Sequence, residues 1–67
     1  MDDICVKTGQ TIRKLREKKG LSQEKLADIA DLHRTYIGHV ERGEKNLTLR
    51  SLERIAKALG VSVRDLI

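Results

Sequence analysis

The stretch QEKLADIADLHRTYIGHVER, residues 23–42, decides the fold. Leu26, Ile29 and Ala30 recur at helical spacing in its first half, and Ser22 just before it can cap the first free N–H groups. That predicts a helix over 23–30 with those three side chains on its buried face. Asp31 interrupts it. Leu32 then leads into a second helix, about 33–42, in which Ile37 and Val40 are three apart and Gly43 closes the last turn. Two short helices joined by about three residues present the second one away from the body of the domain. Ala27 is small where the two would cross, Ile37 and Val40 are apolar where the second must dock, and Leu26, Ala30 and Leu32 complete the shared core.

The rest of the chain reads as further helices around this pair. QTIRKLREKK, residues 10–19, is rich in helix formers, sets Ile12 and Leu15 on one face and is followed by Gly20. Thr48 or Ser51 can cap a helix whose Leu52, Ile55, Ala56 and Leu59 follow an i, i+3, i+4, i+7 pattern up to Gly60, and Ser62 can cap the short VRDLI. The expectation is an all-α, compact five-helix domain spanning residues 1–67, with residues 1–8 a frayed N-terminus. In 67 residues, 39% hydrophobic and 36% charged, Tyr36 is the only aromatic, and there is no Pro. Strand-forming residues are too scarce for a β-sandwich.

Composition also excludes several functions. No apolar run approaches the ~18 residues of a membrane span, and MDDICVKTGQ carries acid where a signal peptide carries positive charge, so a soluble, cytoplasmic protein is expected. Cys5 alone forms neither an internal disulfide nor a zinc site and reads as an inert thiol. His33 and His39 lie six apart rather than four, and no activated nucleophile is paired with a base, so no metal, no cofactor and no enzymatic activity are expected. The net charge is +4 with a pI near 9.6, and residues 7–21 hold six basic side chains against Glu17. This favours a polyanionic partner.

The runs IRKLREKKGLSQEKLADIA, RTYIGHVERG and LRSLERIAKALGV, in that order and at that spacing, resemble the helix-turn-helix family of Cro and lambda-type (XRE-type) repressors over residues 9–67. The resemblance implies a lambda-repressor-like DNA-binding fold whose recognition helix lies at about 33–42. Two positions depart from the family pattern. Asp31 stands where Gly is usual, at a turn residue with positive φ, which Asp tolerates at small cost. Gly38 stands where Ser is frequent; it weakens the helix by about 1 kcal/mol relative to Ala but permits close approach of backbone or DNA.

A helix in the major groove reads base edges from its first turns, which makes His33, Arg34, Thr35, Gly38 and His39 the base-contacting candidates. Arg34 ranks first, because a guanidinium bonds guanine O6 and N7 together, while Thr35 can meet a thymine methyl group. His33 and His39 have no unique pairing rule and read equally as solvent-facing polar side chains. Tyr36 suits a phosphate contact or a packing role. The resemblance makes Gln23 a phosphate contact that also braces the recognition helix, with Arg42, Lys45 and Asn46 across the groove and Arg13 and Lys14 adding from helix 1. It further pairs Arg16 with Glu41 as a structural, partly buried ion pair.

Specific affinity generally needs two half-sites about 34 Å apart, read by a symmetric dimer. The apolar surplus near the end, Leu47, Leu49, Val61, Val63, Leu66 and Ile67, is the expected homodimer interface, though the same residues could cap the core. In size and in NLTLRSLERIAKALGVS the chain is similar to the small restriction–modification controller proteins. The expected function is therefore transcriptional regulation by a dimer on a palindromic operator in double-stranded DNA. Glu24 and Asp28 resemble the acidic patch through which activating relatives touch RNA polymerase, but a solvated helix face is the simpler account. The alternative is an antitoxin or adaptor acting through a protein partner, which the net −1 over residues 22–46 would suit.

Overall fold

The computed structural model describes residues 3–44 and 47–67, and every regular element among them is helical. These are α1 (Ile4–Lys18), α2 (Gln23–Ala30), α3 (Arg34–Glu41) and α4 (Leu49–Leu59), followed by a single 3-10 turn, Val63–Asp65. The fifth expected helix is thus only this turn, fastened by the Asp65 carboxylate accepting from the Ser62 backbone N–H and hydroxyl, each at 3.0 Å.

Helix starts follow the capping chemistry. Asp3 accepts from the Val6 N–H, Ser22 from Lys25 and Thr48 from Ser51, each at 3.0 Å. Because Asp3 caps it, α1 begins at Ile4 rather than near residue 10, and Thr8 and Gly9 are buried; a frayed stretch over residues 3–8 is corrected accordingly. Asp31 sits at φ 59° in the left-handed region, as its place at the turn requires, and its N–H bonds back to the Asp28 carbonyl at 3.2 Å.

Ile12, Leu26, Ile37, Val40, Ile55, Leu59 and Leu66 are fully buried and form one core, with Ala27, Ala30, Leu52 and Ala56 between them. Two expectations about burial are overturned. Ile29 is 51% exposed: the inner face of α2 centres on Ala30, with Leu26 and Ala27 at its flanks, and Ile29 lies about 100° round from Ala30. Leu66 is 1% exposed, because the 3-10 turn folds the chain end back onto the core; it belongs to the core and not to an interface.

Two contacts between distant parts of the sequence fix α3 against α1. At Gly9 a Cβ atom would stand 2.2 Å from the Val40 carbonyl oxygen and 2.9 Å from that of Glu41, so only glycine lets the two backbones approach this closely. About two turns further along α1, Arg16 makes a two-pronged ion pair with Glu41: Nε donates to Oε2 at 2.6 Å and Nη2 to Oε1 at 3.0 Å. Its third nitrogen, Nη1, donates to the Leu21 carbonyl at 2.7 Å and ties in the loop between α1 and α2. The Glu41 hydrogen bond raises the Arg16 pKa above its ordinary value despite the opposing effect of burial, so the guanidinium stays charged.

Each contact yields an expected outcome. Gly9→Ala forces the two backbones apart and is expected to destabilise the domain by about 1–3 kcal/mol in a denaturant melt; an unchanged midpoint would show that α1 can shift freely. Glu41→Gln strands a buried guanidinium and is expected to lower stability by about 3 kcal/mol. A thermal melt indistinguishable from the parent would remove the pair from the account of how α3 is held.

Candidate nucleic-acid interface

With Ile37 and Val40 locked inward, α3 turns a polar face outward. His33, Arg34 and Thr35 are exposed at its start, Arg42 is exposed just past its end, and His39 and Tyr36 are half-buried. His33 occupies the position before the helix but makes no side-chain cap, which leaves its ring available on the surface. Arg34 reaches across to α2, with Nη1 3.5 Å from Glu24 Oε2. The start of α3 therefore carries an exposed cation on a loose leash, since both side chains are about two-thirds exposed and such a pair holds weakly.

Gln23 opens α2, and its amide donates to Glu41 Oε1 at 3.0 Å. The carboxylate that binds Arg16 therefore also receives the side chain expected to brace the recognition helix, and α1, α2 and α3 meet at one buried anion. Gln23 and Arg42 converge over Gly38: a Cβ there would lie 3.3 Å from Arg42 Nη1 and 3.6 Å from Gln23 Oε1. Gly38 is consequently buried beneath protein side chains. The close approach it permits is that of Arg42 and Gln23, which corrects its place among residues open to a base.

Tyr36 packs against the core and buries its hydroxyl without a hydrogen-bond partner among the described residues, so that donor is not presented on the surface. On α1, Arg13 Nε donates to Glu17 at 3.2 Å, and Lys14 is exposed beside it. Lys45 and Asn46 lie outside the described residues.

Sequence reasoning overlooked Glu44. Its Oε1 is 2.8 Å from His39 Nδ1 and its Oε2 3.1 Å from Arg42 Nε, so it engages two candidate DNA contacts at once. The hydrogen bond from Arg42, and then that from His39, holds its carboxyl below the usual carboxylate range. No spacing rule marks a carboxylate one residue beyond a helix-ending glycine, so the residue carried no signal of its own.

Comparison with known proteins agrees with this geometry. The helix-turn-helix family model matches residues 12–66. The control protein C.BamHI of Bacillus amyloliquefaciens is 53% identical over 67 residues, covering 98% of this chain and 83% of that protein. The crystal structure of the restriction–modification controller protein C.AhdI from Aeromonas hydrophila superposes with a TM-score of 0.92 at 48% identity, over 94% of this chain and 96% of that one. The controller protein C.Esp1396I, solved as a tetramer in complex with its natural 35 base-pair operator, superposes with a TM-score of 0.86 at 45% identity, over 92% of this chain and 82% of that one. On the fold, the placement of α2 and α3 and these likenesses together, the chain belongs to the helix-turn-helix family of XRE-type regulators.

Proposed function

We propose that this protein is a sequence-specific regulator of transcription that works in the cytoplasm and binds a palindromic operator in double-stranded DNA as a homodimer, with α3 in the major groove. The observation that carries the reading is the division of α3: one face is fixed by Ile37, Val40 and Glu41, while His33, Arg34 and Thr35 stand exposed at its first turn. A helix held so rigidly places its N-terminal side chains on base edges with little entropy left to lose. Arg34 reads guanine, Thr35 and the two histidines supply secondary contacts, and Gln23, Arg42, Arg13 and Lys14, joined by Lys45 and Asn46, set the register on phosphates, while Tyr36 takes the packing role. The control and controller proteins that this chain resembles, one of them solved on its operator, support the same reading.

The dimer surface consists of what the core leaves over. Leu49 is 82% and Ile67 64% exposed, with half-buried Val63 lining a groove with Leu49 and half-buried Leu47 lining one with Ile67, while Val61 is half-buried past the far end of α4. Leu66, being buried, contributes only by holding that surface in place. Glu24 pairs loosely with Arg34 at the start of α3, and with Asp28, exposed one turn further along α2, it forms the acidic face on which a polymerase contact would fall.

Selection of duplexes from a random library is expected to recover a palindrome, and Arg34→Ala is expected to lose about 1–3 kcal/mol at a single base step while leaving the other positions of the site unchanged. Failure of the folded protein to enrich any duplex, together with capture of a stoichiometric protein partner, would replace this reading with the antitoxin or adaptor one. Leu49→Lys is expected to shift sedimentation toward the monomer and to weaken operator binding without changing the helical content; an unaltered dimer would place the interface elsewhere.

A further inference from the structure

We propose that Glu44 is an internal competitor for the DNA backbone, holding Arg42 and His39 in the unbound protein and releasing them when a phosphate arrives at the end of α3. The inference rests on the reading of α3 as the recognition helix and adds a residue that restrains binding. Its basis is one carboxylate held by two donors. Glu44 Oε1 accepts from His39 Nδ1 at 2.8 Å and Glu44 Oε2 from Arg42 Nε at 3.1 Å; with Nδ1 donating to the carboxylate, Arg42 Nη2 lies 3.3 Å from that nitrogen without bonding it.

Backbone geometry puts the carboxylate there. Gly43, at φ +73°, reverses the chain, and the Glu44 N–H bonds the His39 carbonyl at 2.9 Å, which returns the Glu44 side chain over the last turn of α3. Gly38 supplies the other half, since its lack of a side chain lets the Arg42 guanidinium lie across the helix within reach of that carboxylate.

A carboxylate offers a guanidinium two acceptor oxygens much as a phosphate does, so the two anions compete for the same donors. The two pairs contribute little to the fold, because all three side chains are substantially exposed. Its effect appears on binding. When Arg42 turns to a phosphate, one counterion leaves the DNA, but Glu44 is left uncompensated beside a polyanion and takes up a cation in its place. Net ion release falls by about one, and every duplex that engages Arg42 bears the same penalty. A site with base contacts in addition overcomes it, whereas a random sequence, held by phosphates alone, is kept weakly bound.

The test compares the full chain with Glu44→Gln on two probes, a duplex recovered by the selection above and a mixed-sequence duplex of equal length, over a range of salt concentrations. The expected result is several-fold tighter binding to both, a log–log salt slope steeper by about one unit, and an unchanged melting temperature. The same substitution placed in a His39→Ala, Arg42→Ala background is expected to give no gain. Unchanged or weaker binding by Glu44→Gln would overturn the proposal, as would an equal gain in that background, which would reduce the effect to bulk charge. If the parent protein binds neither duplex, the reading of α3 as a recognition helix fails first and this inference with it.

Discussion

Everything the recognition helix presents depends on the buried carboxylate of Glu41. With two helical turns, α3 is too short to be stable by itself, and no side chain caps its start. Its orientation is imposed from outside, by the Arg16 guanidinium on one side and the Gln23 amide on the other. A charge taken out of water is tolerated only when its lone pairs are met by well-placed donors, and here α1 and α2 both supply them. The close backbone approach at Gly9 completes the clamp by bringing the end of α3 against α1. A domain with one small core and no crosslink thus holds a projecting helix at a fixed angle.

The outward side of the same helix is built on the opposite principle. Its cations meet their carboxylates at the surface, Arg34 with Glu24 and Arg42 with Glu44, where water screens the attraction and the pairs exchange readily. Strong pairing inside and weak pairing outside separate the task of holding α3 from the task of using it. Buried and exposed versions of one ion-pair chemistry differ here by the dielectric around them.

Much of this was legible before any coordinates. Ser22, Thr48, Gly43 and Gly60 mark helix ends through local chemistry, and the 52, 55, 56, 59 pattern on α4 is buried as its spacing requires. The errors came where a short helix offers two plausible faces. Ile29 and Ala27 both lie within reach of the α2 apolar stripe, and in eight residues the larger side chain looks like the better core residue. Ala27, expected at the crossing with α3, is 2% exposed, and with Leu26 it brackets Ala30, which leaves Ile29 outside the buried face. At the N-terminus the cap of α1 was missed because Asp3 is followed by ICVKTG, residues of modest helix propensity that are helical because Thr8 and Gly9 pack against the rest of the domain.

The sequence by itself determined where α2, α3 and α4 run, the cap of α2 at Ser22, the turn at Asp31 and the family, since each rests on residues adjacent in the chain or spaced by the helical repeat. Only the tertiary structure decided that Gly9 is a contact point, that Leu66 is core, that Gly38 lies beneath Arg42, and that Glu44 engages His39 and Arg42. The first two depend on segments far apart in sequence, the third on where the Arg42 side chain lies over the preceding turn, and the last on how a left-handed glycine aims the residue after it. Neither distance nor aim is written in a periodic pattern, because both are set by how closely the helices approach once the core has closed.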